Sequence, residues 1–102
     1  MRYAKRRDNN HKEIVAALRK AGFEVIDFGS AGHSIPDLLV SKEAQIGSPW
    51  VCWVEVKDGS GRLRDGQKRF QRLFEPRGEW YEARTPEDTI CALQALYLAR
   101  AT

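Results

Sequence analysis

The sequence has few of the residues that cross-link small proteins or bind zinc. Its 102 residues include only two cysteines and two histidines. Cys52 and Cys91 are too few and too far apart to supply the paired spacing of a structural zinc site. Cys52 lies in an apolar run and Cys91 in a helical pattern, so we expect both to be free thiols that pack in the interior rather than act as nucleophiles.

Long apolar segments are also missing. The chain contains no run of about 18 apolar residues, the length that crosses a bilayer, and no apolar stretch of the signal-peptide type. These absences predict a cytoplasmic protein without a membrane partner. Hydrophobic residues make up 42% and charged residues 30% of the chain, which is typical of a folded chain rather than a disordered one. We therefore expect a single domain over residues 1–102.

Positive charge is in slight excess, with a formal net charge of +3, and it is unevenly placed. One cluster comprises Arg2, Lys5, Arg6 and Arg7, and a second comprises Arg62, Arg64, Lys68, Arg69, Arg72 and Arg77. Such clusters attract phosphates, but they are also common on solvated faces. If the chain binds DNA, the residues expected to contact it are Arg7, Arg62, Arg64, Lys68 and Arg69.

The hydrophobic pattern predicts the order α-β-β-β-α-β-α. The predicted helices cover 10–21, about 66–74, and a segment that begins at Pro86; the predicted strands cover 23–28, 38–40, 50–57 and 80–83. Asn10, Asp65 and Thr85 are the expected helix N-caps. The inward stripe of the last helix is expected to hold Ile90, Leu93, Leu96 and Tyr97, and Leu98 adds apolar surface beyond it.

The strand over 50–57 holds the first candidate for chemistry. Its period of two sends Glu55 and Lys57 to one face and Val54 and Val56 to the other. A carboxylate can hold Mg²⁺, while a lysine can offer charge to a scissile phosphate or orient a water. An exposed Glu-x-Lys pair is also a common solvated face. Trp53 shares the face of Glu55, where it could either pack against the protein or stack on a nucleic-acid base.

Two further carboxylates are candidates, each with a structural alternative. Asp37 follows a proline at the head of the preceding strand, where it could lie beside Glu55 or simply serve a turn. Glu13 stands three residues after Asn10, where it could close a capping box or point across to the sheet.

These residues together resemble the PD-(D/E)xK nuclease superfamily. The matching pieces are Glu13 on the first helix, Ile35-Pro36-Asp37, Glu55-Val56-Lys57, and Gln67 on the next helix. The phage-type VRR-NUC domains and the Holliday-junction resolvases are similar over residues 13–22, 36–40 and 55–59. Relatives often have a Leu-Thr-x-x-Gln segment where this chain has Leu63-Arg64-Asp65-Gly66-Gln67, which leaves the orientation of Gln67 open.

The resemblance implies an α/β fold with a restriction-endonuclease-like αβββαβ core, a mixed sheet and a C-terminal helix. It also implies an Mg²⁺-dependent or Mn²⁺-dependent endonuclease that cuts DNA, with branched DNA such as a Holliday junction among its substrates. Asp37, Glu55 and the carbonyl of Val56 would ligate the metal, and Lys57 would position or activate water. Glu13 would be an outer carboxylate, and Gln67 would support the lysine or the phosphate.

The same resemblance favours a homodimer and a phage or prophage source. Two other functions stay open from the residues alone. One is a nucleic-acid-binding module whose nuclease residues are idle, and the other is a structural α/β domain whose Glu-x-Lys pair is surface decoration.

Overall fold

A computed structural model describes residues 9–29, 34–43, 49–59 and 61–101. Its elements are α1 (Asn9–Lys20), β1 (Glu24–Asp27), β2 (Leu38–Lys42), β3 (Trp50–Val56), α2 (Asp65–Phe74), a 3-10 helix (Glu75–Arg77), β4 (Trp80–Ala83) and α3 (Pro86–Ala101). The predicted α/β class, mixed sheet and C-terminal helix are confirmed. Apart from the 3-10 helix, the element order is the predicted one.

The four strands form one sheet in the order β1-β2-β3-β4. The first three strands are antiparallel neighbours, whereas β3 and β4 run parallel. A parallel pair needs a crossover connection, which α2 and the 3-10 helix provide. In this register Leu38 lies opposite Val54, and Val54 lies beside Tyr81. The parallel pairing brings the C-terminal ends of β3 and β4 together.

One face of the sheet carries the hydrophobic core. Its buried members include Val25, Leu38, Val40, Cys52, Val54 and Ala83 from the sheet, Ile14, Val15 and Leu18 from α1, and Leu93 from α3. The alternation predicted for β3 is therefore observed, with Val54 on the core side. On α3, Leu93 is buried and Ile90, Leu96 and Tyr97 pack against the core, as their stripe predicted.

The other face of the sheet lies against α2. Trp53 on β3 contacts Phe70 and Phe74 of α2, with ring centroids 5.4 and 6.2 Å apart, and also Phe28, at 6.1 Å. Trp53 therefore packs against neighbouring aromatic rings, which is the packing role that the sequence left open beside base stacking. This aromatic cluster anchors α2 beside the strand that carries Glu55.

Three local predictions are wrong. Asn10 lies inside α1, which begins at Asn9, so it is not the N-cap. Asp65 is the first residue of α2 and Arg64 is its N-cap, because the side chain of Gln67 reaches back to the Arg64 amide and closes the helix start. Cys91 is exposed and does not pack in the interior, whereas Cys52 is buried as expected.

Thr85 does cap α3, since its Oγ1 accepts the amide of Asp88 at 3.2 Å. None of the helices in the described ranges has the length and apolar character needed to cross a bilayer.

Candidate active site

Asp37 and Glu55 lie opposite each other at one end of the β2–β3 ladder. Leu38 pairs with Val54, so the antiparallel register continued by one position brings Asp37 to Glu55. Asp37 Oδ2 accepts the main-chain N–H of Val56 at 2.9 Å, which ties its carboxylate to β3. Pro36, just before it, is fully buried and fixes the approach of the chain. The structure therefore brings the two predicted metal ligands together.

Glu55 is almost fully enclosed, with 3% of its surface exposed. Its Oε2 accepts a hydrogen bond from Gln67 Nε2 at 2.9 Å and lies 3.9 Å from Lys57 Nζ. Its Oε1 is buried and has no hydrogen-bond partner among the described residues. An orphaned carboxylate oxygen in a low-dielectric site is costly unless something binds it.

The surroundings of Glu55 favour its protonated form. Burial and, to a smaller extent, the negative charge of Asp37 raise the pKa of Glu55 to about 8, although the positive charge of Lys57 lowers it. When protonated, Glu55 can donate a hydrogen bond to Asp37, whereas the ionised carboxylate has no partner for Oε1 among the described residues. Two carboxyl groups so close can be ionised together only if a cation offsets their repulsion.

Lys57 follows the last residue of β3 and is held through its main chain. Its N–H donates to Ala83 O at 2.9 Å, and its carbonyl accepts Asn10 Nδ2 at 2.9 Å. Its side chain is 15% exposed, so most of it is shielded from solvent. Glu55 and Lys57 therefore share one face, as the strand period predicted.

Gln67 joins the site through a different partner from the predicted one. The expectation was that it would support Lys57 or a phosphate, but its amide donates to Glu55 and its Oε1 accepts the Arg64 N–H at 2.8 Å. The physical reason is the helix start at Asp65, which places Gln67 at the position that reaches back to the N-cap. Gln67 is buried and links α2 to the Glu55 carboxylate.

The residues present fit a hard divalent cation. Mg²⁺ and Mn²⁺ take oxygen ligands, and this site offers the carboxylates of Asp37 and Glu55 with one oxygen of Glu55 unpaired. Because the Val56 N–H points to Asp37, its carbonyl is directed to the same side of β3. Over the described ranges, no group of three or more His, Cys, Asp and Glu residues could hold a metal. Such an ion would keep several water or phosphate ligands, as Mg²⁺ usually does.

Glu13, predicted as an outer carboxylate, is exposed on α1 and forms no group of three with Asp37 and Glu55. The reason is that α1 packs Ile14 and Leu18 against the core face of the sheet, opposite to the face of Glu55. The capping-box alternative also fails, because Asn10 is not the N-cap.

The basic residues predicted to contact DNA are exposed where the structure describes them. These are Arg62, Arg64, Lys68 and Arg69, and Arg7 lies outside the described residues. The charge of Arg64 contributes to lowering the pKa of Glu55, which places its guanidinium within electrostatic range of that carboxylate. A positive surface therefore borders the site where α2 begins.

Two residues at the site were missed by sequence reasoning. Asn10 donates to the carbonyls of Lys57 and Arg84, at 2.9 and 3.3 Å. Arg84 donates to the carbonyls of Gly59 and Gly61, at 2.6 and 2.9 Å, and to the carboxylate of Glu82. The pattern around Asn10 indicated a cap, and Arg84 follows a short strand without a motif, so neither carried a signal for this role.

No family model matches the sequence, and no curated protein or solved structure matches the chain at a significant level.

Proposed function

We propose that this chain is a divalent-metal-dependent nuclease that hydrolyses phosphodiester bonds in DNA. The observation that carries the proposal is the pairing of the Asp37 and Glu55 carboxylates with a buried, unpaired Glu55 oxygen beside Lys57. The PD-(D/E)xK resemblance supports the same assignment from the sequence. A purely structural domain gains nothing from a buried Glu55 carboxyl next to the half-buried Asp37, because burial and the neighbouring charge both disfavour the ionised form of Glu55.

Asp37, Glu55 and the carbonyl of Val56 would hold Mg²⁺ or Mn²⁺. When bound, such an ion supplies an acidified water and neutralises charge on the phosphate. Lys57 donates hydrogen bonds and positive charge to a phosphate oxygen or to the attacking water, as an ammonium with three donors can. Gln67 holds Glu55 in place through the bond to Oε2.

The substrate in this proposal is DNA that lies along the positive surface next to α2. Arg62, Arg64, Lys68 and Arg69 would contact phosphates, which positions a strand without reading its sequence. Branched DNA, including a four-way junction, is proposed on the resemblance to resolvases.

A homodimer is proposed as the working form, since Leu98 on α3 is 61% exposed and adds apolar surface to a helix end.

The test is cleavage of labelled DNAs by the purified chain in Mg²⁺, Mn²⁺ or EDTA. The panel holds single strands, linear duplex, flaps and four-way junctions. Thermal shift with Mn²⁺ is measured in parallel, because a ligand that binds only the folded state raises the melting temperature. Cleavage that needs the metal and is lost in Glu55→Gln, but kept in Glu87→Gln on α3, supports the proposal.

Two other results would contradict it. DNA binding with no cleavage of any substrate indicates the idle binding module. No DNA binding and no Mn²⁺ shift indicates a structural domain.

A further inference from the structure

The side chain of Lys57 runs alongside the turn that follows it. A methyl group placed on the Cα of Gly61 would lie 3.6 Å from Lys57 Cδ and 3.2 Å from the carbonyl of Asp58. Gly61 also donates its N–H to that carbonyl at 2.9 Å, which closes the turn. The turn therefore lies beside the Lys57 stem, and a shift of the turn would change the space that the stem occupies.

Arg84 fixes this turn from outside. Its two terminal nitrogens donate to Gly59 O at 2.6 Å and Gly61 O at 2.9 Å, so one guanidinium bridges the turn. The Arg84 main chain is tied to the same place, because Asn10 Nδ2 bonds the carbonyls of both Lys57 and Arg84. These contacts cross 23 to 74 positions of sequence and meet only in the folded chain.

We propose that Arg84 is a positioning residue for Lys57, acting through the carbonyls of Gly59 and Gly61. The assignment of a catalytic consequence rests on the proposed nuclease function. Arg84 touches neither Glu55 nor Asp37 in any hydrogen bond or ion pair found in the described ranges. Its effect on chemistry would run through the direction of the Lys57 ammonium, which now lies 3.9 Å from Glu55 Oε2.

The bridge depends on the planar guanidinium group of Arg84, which donates two hydrogen bonds at once. Arginine presents several N–H donors in one plane and can bridge two carbonyls, whereas lysine is a point charge on a flexible stem. Arg84→Lys keeps the charge beside Glu82 but loses the bridge. Glu82→Gln does the reverse, because it removes the carboxylate partner and leaves both glycine carbonyls in place. The two variants therefore separate the ion pair from the bridge.

The first measurement reports on Lys57 without any reaction. Lysine labelled with ¹³C at Cε is incorporated, and the Lys57 signal is assigned by its loss in Lys57→Arg. In the wild type we expect two separate Cε proton resonances, because the stem is held in one orientation. In Arg84→Lys and Arg84→Gln we expect them to merge, and in Glu82→Gln to stay separate. Circular dichroism checks that each variant is folded.

The second measurement is the kinetics of metal-dependent cleavage by the same folded variants. We expect kcat to fall about ten- to a hundred-fold in both Arg84 variants with KM unchanged, because the substrate contacts remain and the lysine is misplaced. An equal fall of kcat in Arg84→Lys and Arg84→Gln, with an unchanged kcat in Glu82→Gln, supports positioning by the bridge.

Separate Lys57 resonances and unchanged kcat in folded Arg84→Lys would overturn the proposal. Merged resonances with unchanged kcat would overturn its catalytic part. A wild type that cleaves nothing, while its Lys57 signal still depends on Arg84, would overturn the nuclease function and support the positioning.

Discussion

The side-chain amide of Gln67 donates a 2.9 Å hydrogen bond to Oε2 of Glu55, across the gap between α2 and the sheet. The other end of the same amide accepts the N–H of Arg64 at 2.8 Å. With both ends engaged, the orientation of the amide is defined, and Nε2 can only face the carboxylate. The start of α2 thereby fixes the position of Oε2 of Glu55. Oε1 has no hydrogen-bond partner among the described residues and is the oxygen that could bind a ligand.

Replacing Gln67 tests that relationship. Gln67→Ala removes the only side-chain donor seen on Glu55 Oε2 within the described residues, so we expect a stability loss of about 1–3 kcal/mol. Mn²⁺ affinity should also fall roughly ten- to a hundred-fold, as for other residues that orient a metal ligand. Chemical denaturation and calorimetry measure the two effects. The control is Gln71→Ala on the same helix, whose amide bonds the exposed Glu75; equal losses in both variants would refute the role of Gln67.

The raised pKa of Glu55 predicts how stability depends on pH. Because the pKa is about 8 in the folded protein against 4.5 ordinarily, the folded state holds a proton that the unfolded state releases between these values. The stabilisation is complete below about pH 4.5 and is lost as pH rises through about 8. In EDTA, the melting temperature of the wild type should fall from pH 5 to pH 8.5 by about 5 °C or more relative to Glu55→Gln. Parallel pH curves for the two proteins would exclude this account of Glu55.

The proposed metal ligands predict a larger loss of cleavage. In Asp37→Asn and Glu55→Gln the carboxylate is replaced by an amide of similar shape, so we expect the fold to persist and Mg²⁺-dependent cleavage to fall by about a hundred-fold or more. The Mn²⁺-induced rise in melting temperature should disappear in both. Lys57→Ala should lose cleavage and keep the Mn²⁺ shift, because lysine contributes a donor and no ligand. Full cleavage in either carboxylate variant would disprove the site.

The sequence predicted the centre of this site because local patterns determine it. The period of β3 fixes the shared face of Glu55 and Lys57, and the proline before Asp37 fixes the head of β2. Once two such strands are antiparallel neighbours, their register brings Asp37 to Glu55. The first two features depend on a few adjacent residues and can be predicted from the sequence, whereas the pairing of β2 with β3 is a property of the fold.

The surrounding contacts could not be predicted in this way. Asn10 bonds residues 47 and 74 positions away, and its local pattern indicated only a helix cap. Glu13 fitted both a cap and a ligand: the helix start at Asn9 excludes the capping box with Asn10, while its role as an outer carboxylate stays a prediction. These outcomes depend on which face of the sheet each helix covers, which the spacing of residues does not specify.

DNA binding should depend on the basic residues around the start of α2. Counterion release gives a salt slope of about 0.9 per phosphate contact on duplex DNA. We expect Arg62→Ala/Arg64→Ala/Arg69→Ala to flatten the slope, measured by fluorescence anisotropy with Ca²⁺ in place of Mg²⁺. Lys12→Ala/Lys20→Ala, exposed on α1, is the control. If the α1 variant changes the slope more for each charge removed, the DNA lies on the other side of the sheet.

The close approach of Ser34 to Gly66 predicts that α2 tolerates only glycine at position 66. A Cβ on Gly66 would overlap Oγ and Cβ of Ser34, so Gly66→Ala forces one segment to move. Ser34 itself has a φ of 67°, a conformation that glycine adopts at little cost. Moving α2 displaces Gln67, which is the next residue, from Glu55.

We therefore expect Gly66→Ala to lower stability by about 1–3 kcal/mol, as overpacking usually does, and to weaken Mn²⁺ binding through Gln67. Ser34→Gly removes both clashing atoms and suits the positive φ, so the double variant Ser34→Gly/Gly66→Ala should recover most of both losses. Denaturant unfolding of the four proteins gives the coupling between the two positions. If the two single effects simply add, Ser34 is not what excludes a side chain at Gly66, and the docking of α2 must depend on the aromatic contacts of Trp53 instead.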